Sequence, residues 1–174
     1  MTQNIYQTSQ EKAEQLLKLL DLDTLEPQQQ QEAYALIRSG ADLTVISTRI
    51  GEPALIYVIK TGHVDVAQVM IQYGCDVNIR DKDGHTALFA TLICGQVETA
   101  QALLDAGADV DAKDNNGRAP ADYARQFMGS ETAKLLIKVS DEKRALKTYI
   151  ENGAPVPNSL RIRKMLSPTQ KRKP

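Results

Sequence analysis

Few side chains here are able to do chemistry. The chain holds two histidines, His63 and His85, and two cysteines, Cys75 and Cys94. A metal or nucleophile site needs several ligating or titrating groups brought together. No H-E-x-x-H, C-x-x-C, G-x-S-x-G or phosphate-loop pattern supplies them. The densest cluster is "DKDG", with aspartates at alternate positions before a glycine, which is how an EF-hand calcium loop begins. Setting Gly84 at the loop glycine places Asp81 and Asp83 correctly, but Ile79 then falls at the first ligand position and Ala90 at the last. Two indispensable carboxylates are missing, so calcium is excluded and Asp81 reads as a hairpin residue. His85, just after that glycine, reads as an exposed contact residue. Cys94 has no basic residue within three positions to lower its pKa. The expectation is a protein with no catalytic residue, metal or cofactor, and with no small-molecule substrate.

The elements that position these residues follow from an internal period, which has to be sought before secondary structure is read. Gly51, Gly84 and Gly117 recur every 33 residues and open the phrases "GEPALIYV", "GHTALFAT" and "GRAPADYA". A second series, "LIRSGADL", "MIQYGCDV" and "LLDAGADV", carries Gly40, Gly74 and Gly107. Inside a unit the apolar spacing is helical: Val66, Val69 and Met70 correspond to Ala100, Leu103 and Leu104 at i, i+3, i+4. Each unit therefore reads as two short helices, turned at Gly62 or Gly95, ended by Gly74 or Gly107 and linked by an extended hairpin. Neither helix buries its apolar face alone, so the units must stack.

In these residues the chain resembles the ankyrin-repeat family, whose unit runs approximately D-x-x-G-x-T-P-L-H-x-A, then G-H, then L-L-x-x-G-A-D-V-N. "DKDGHTALFATLICGQVETAQALLDAGADVDAKD", from Asp81 to Asp114, fits position by position, with Ala87 for the proline and Phe89 for the histidine. The preceding unit keeps "GHVDVAQVMIQYGCDVN" but has Pro53, Ala54 and Ile56 at the threonine, proline and histidine positions. The resemblance implies an all-α solenoid of about four helix-turn-helix repeats with capping helices, at about 11–50, 51–83, 84–116 and 117–153 within a domain over 1–154. Pro27 begins the second helix of the first unit and Pro120 the first helix of the last. After Gly129 one helix is expected to run to about Val139, with "DEKRALKTYIENGAPV" forming another that ends at Gly153. The family's pattern also makes His63 a structural histidine and Cys75 a buried stand-in for alanine. It sets Asn78 at the hairpin asparagine, where a structural role suffices.

Composition limits the partners. The last twenty residues, from Pro155, hold six basic side chains and no acidic one, which leaves 15 basic against 22 acidic residues before them. The body is thus a poor nucleic-acid binder, while the tail over 155–174 reads as solvated and weakly tethered, available for contact with an acidic surface or for nuclear import. Two cysteines, no apolar leader-like stretch and no apolar run near the roughly 20 residues of a membrane span point to a cytoplasmic protein without a transmembrane segment. Such a chain could serve its own cell or be delivered into a host by a bacterium.

The resemblance implies a protein-binding module or adaptor, using hairpin tips and the concave face of the first helices; a structural spacer or regulatory subunit is the alternative. Superposing the glycine phrases aligns Arg49, Lys82 and Asn115 in the hairpins, Glu52, His85 and Arg118 after the turn glycines, and Tyr57, Ala90 and Tyr123 on the first helices. Interfaces favour Tyr and Arg. The expected partner contacts are Arg49, Glu52, Tyr57, Lys82, His85, Arg118 and Tyr123.

Overall fold

The computed structural model describes residues 8–20, 25–44, 51–126 and 129–152. Arg49 and the basic tail lie outside them. Eight helices are described: α1 (Ser9–Leu20), α2 (Pro27–Arg38), α3 (Ala54–Lys60), α4 (Val64–Gln72), α5 (Ala87–Cys94), α6 (Val97–Asp105), α7 (Pro120–Gln126) and α8 (Glu131–Glu151). Among the described residues there is no β-strand, and no helix is long and apolar enough to cross a membrane.

The helices pack in two rows. The first helices of successive units, α3, α5 and α7, touch in sequence, and α2, α4, α6 and α8 form the second row, with α1 laid against α2. The sequence dictates the ends. Pro27 opens α2, where the Gln29 side chain accepts the Glu26 N–H at 2.9 Å. The second helices α4 and α6 stop in the same way: Cys75 N–H reaches Met70 O at 3.1 Å and Ala108 N–H reaches Leu103 O at 2.9 Å. These closures require the left-handed backbone that Gly74 (φ 80°) and Gly107 (φ 93°) adopt.

One core runs through the stack. Leu16, Leu20, Ile37, Leu55, Ile56, Ile59, Met70, Leu88, Leu103 and Leu136 have essentially no exposed surface. The scarcity of aromatics lets Ala33, Ala54, Ala67, Ala87, Ala100 and Ala133 bring helices together closely, and all are buried.

The C-terminal part differs from the two-helix expectation. Residues 131–151 form a single helix of 21 residues, α8, and the break expected after Val139 is absent. Its start is capped by Ser130 Oγ, which accepts the Ala133 N–H at 3.0 Å. No Gly or Pro interrupts the segment. The residues at the expected break are held in place: Ser140 is buried and donates to Asp111 Oδ1 at 3.3 Å, and Asp141 meets the Arg125 guanidinium of α7 at 3.0 Å. Further along, Lys143 Nζ lies 2.6 Å from Asp109 and 2.9 Å from Asp111.

Candidate functional site

Two hairpins in adjacent units, around Gly84 and Gly117, are built as copies. Asp81 Oδ1 accepts the N–H groups of Asp83 and His85, both at 2.9 Å, and Asp114 Oδ1 accepts those of Asn116 and Arg118, also at 2.9 Å. The aspartate side chains thus turn inward, satisfying the turn's backbone donors, as short Asx side chains do. Burial alone would raise the Asp114 carboxyl. The hydrogen bonds from Arg118, the Tyr123 hydroxyl and Asn116 outweigh it, and the group is held down at about 2, against 3.8 ordinarily.

That depression links the hairpin to pH. The folded value lies below the unfolded one, so the stabilisation is complete above about pH 4 and is lost as pH falls through about 2. Melting temperature measured from pH 5 to pH 2 should therefore fall less steeply in Asp114→Asn than in the native chain, and start lower at pH 5. An unchanged slope would show that Asp114 carries none of the acid sensitivity.

Neighbouring hairpins are also tied to each other. Asn115 donates its backbone N–H to Asp83 O at 3.0 Å and its side-chain N–H to Lys82 O at 2.9 Å, and the Arg80 guanidinium donates to the Lys113 carbonyl. Asn78 bridges likewise, donating to Gly107 O at 3.3 Å while its Oδ1 accepts the Asp109 N–H at 2.7 Å. The close approach of Asn115 leaves no room at Gly84. A Cβ there would lie 2.6 Å from Asn115 Oδ1 and 2.9 Å from Asn115 N, on a backbone with φ of +81°.

Gly117 has nearly the same φ, +76°, with open space around it. Both Gly→Ala changes should cost about 1–2 kcal/mol for the left-handed backbone, and Gly84→Ala should cost more because its overlap involves a neighbouring backbone. Urea titrations compare them; equal losses would contradict the tie between hairpins.

Several of the expected contact residues converge at this place. His85 sits between the two buried carboxylates, with Nδ1 3.5 Å from Asp81 and Nε2 3.6 Å from Asp114. Its ring lies 4.7 Å from that of Phe89 and 6.4 Å, edge-on, from that of Tyr123. The Tyr123 hydroxyl donates to Asp114 Oδ2 at 2.7 Å, which raises its pKa, and the Arg118 guanidinium rests 5.6 Å above the Tyr123 ring. Lys82 and Arg118 are exposed and Tyr123 is half-buried.

Other residues lie differently from expectation. Tyr57 is 7% exposed and belongs to the core, because α5 of the next unit packs against α3. His85 is not freely exposed: its side chain is 27% accessible, wedged between carboxylates. Glu52 is largely covered and joined to Lys60 Nζ at 2.7 Å.

Asp81, Asp83 and His85 offer three ligand atoms within 4.8 Å of one another, the described group closest to a metal site. Asp81 is already engaged, with Oδ1 accepting two N–H groups and Oδ2 3.7 Å from the Lys60 ammonium. A lysine therefore stands beside this carboxylate where a cation would. The roles of Lys60, Arg80 and Asn115 are what sequence reasoning missed: Lys60 reaches Asp81 from a distant helix, and Arg80 and Asn115 act between neighbouring units.

The cysteines do not add a reactive centre. Burial pushes the Cys75 thiol up to about 12. Cys94 is exposed, yet its thiol is also raised, by partial burial and against the opposing pull of Lys60.

A family model described as ankyrin repeats in three copies matches residues 28–114 and again 74–146. No curated protein matches the chain.

Proposed function

The chain belongs to the ankyrin-repeat family, whose members generally serve as protein–protein interaction modules, and from that membership we propose that it binds a partner protein along the edge formed by its hairpins. The observation that carries this reading is the placement of Lys82, His85 and Arg118 on two hairpins locked together by Asn115, with Tyr123 of α7 against His85 and Arg118. Arg118, held on the Tyr123 ring, is a side chain whose contact geometry is set before binding, which reduces the entropy lost on association. Tyr57 is left out of the proposed contact because it is buried. Arg49, in sequence register with Lys82 one unit earlier, lies outside the described residues. The family is typically non-enzymatic, in keeping with a role of contact without turnover.

The test is capture from an extract of the cell that makes the protein, with the Lys82→Ala/Arg118→Ala double variant run in parallel and identified by mass spectrometry. Truncating an interface arginine at a hot spot costs about 2 kcal/mol or more, a loss of roughly thirtyfold in affinity. A partner captured by the native chain should therefore be lost from the variant, with the far-ultraviolet circular dichroism of both unchanged. Equal recovery from both would move the site off this edge.

A further inference from the structure

We propose that this hairpin edge selects an acidic polypeptide segment, a refinement that rests on the binding role above. The basis is where the charges of the two hairpins go. The body of the chain is acidic, with 22 acidic residues in all and, before Pro155, 15 basic ones. Yet the acids of these hairpins are largely consumed within the fold. Asp81 and Asp114 turn inward to hold their own turns and are buried. Asp109 and Asp111 are occupied by Lys143 of α8, at 2.6 and 2.9 Å.

The cations are not consumed. Arg80, Lys82, Lys113 and Arg118 are all exposed, and among the described residues none pairs with a carboxylate. The exposed acids left beside them are Asp76, whose Oδ1 accepts the Asn78 N–H, and Asp83.

The four cations also share one place. The Arg80 guanidinium reaches the Lys113 carbonyl of the next hairpin, and the Lys82 carbonyl accepts from Asn115. The backbones that carry these cations are therefore joined, and neither hairpin can move away from the other without breaking these bonds. Arg118 adds a planar fork with a fixed orientation, suited to a carboxylate. Among the exposed charges here that no ion pair occupies, four cations stand against two acids, Asp76 and Asp83, an arrangement that fits carboxylates carried on a peptide. The body's own charge disfavours the dense phosphates of a nucleic acid.

The experiment uses the full chain and a fluorescein-labelled peptide of alternating Glu and Ala, followed by anisotropy at low salt, with the Gln-for-Glu peptide as comparison. The tail's cations stay present in every variant and contribute a constant background. Lys82→Glu/Arg118→Glu should weaken the Glu peptide about tenfold or more, while Lys134→Glu/Lys147→Glu on the exposed side of α8 should change it less than about twofold. The milder Lys82→Gln/Arg118→Gln should fall between them and guards against misfolding of the reversal variant. Equal weakening by both reversals, no weakening by either, or tight binding of the Gln peptide would overturn the proposal. So would preferential binding of phosphatidylserine vesicles that is lost in the hairpin variant. Should a captured partner depend on Lys82 and Arg118 while the Glu peptide does not, the preference for acid falls and the binding role stands.

Discussion

Leu88→Ala is expected to lower the unfolding free energy by about 2–5 kcal/mol, the cost of a buried leucine truncated where the surroundings cannot collapse. Leu88 has no exposed surface and sits in α5, which touches α3, α6, α7 and α8. In a stacked array stability is a sum of unit and interface contributions. A cavity at Leu88 therefore weakens several interfaces together. Ile93 lies on the same helix with 74% of its surface exposed, so Ile93→Ala should shift stability by no more than about 0.5 kcal/mol. Urea titrations of both variants by circular dichroism make the comparison. Similar losses at the two positions would mean that α5 does not occupy the centre of the stack.

Asp141→Pro should be nearly as damaging, at about 3 kcal/mol or more, because proline inside a helix removes a backbone hydrogen bond and clashes with the preceding turn. The two readings of this segment part here. In one continuous α8, Asp141 is an interior residue; if a second helix began after Ser140, it would be a first-turn residue, where proline is tolerated. Asp141→Ala serves as the comparison, since it too loses the exposed ion pair with Arg125. That pair is worth at most about 1 kcal/mol. Thermal melts of the two variants that coincide would restore the break.

The period of Gly51, Gly84 and Gly117 made the hairpins legible in the sequence, because a turn that needs left-handed backbone leaves glycine at a constant interval. Pro27 and Pro120 marked helix starts for a similarly local reason. What stayed hidden depends on neighbours. Tyr57 and Tyr123 share a register position, but only Tyr57 has the first helix of a following unit, α5, packed against its own helix, so equal register did not mean equal burial. The continuity of α8 was missed because Ser140 and Asp141 resemble a helix start, whereas their partners are Asp111 and Arg125, distant in the chain. The part played by Asn115 could have been suspected from Asn78, an asparagine that also bonds to a neighbouring unit, although Asn78 reaches forward along the chain and Asn115 back.

The central claim, that a protein partner is bound along the hairpin edge, is tested most directly by amide hydrogen exchange of the chain alone and with its captured partner. Protection on binding should concentrate in residues 80–85 and 113–123, where Lys82, His85, Arg118 and Tyr123 lie. Protection confined to the second-row helices α4 and α6, with those hairpins unchanged, would contradict the account.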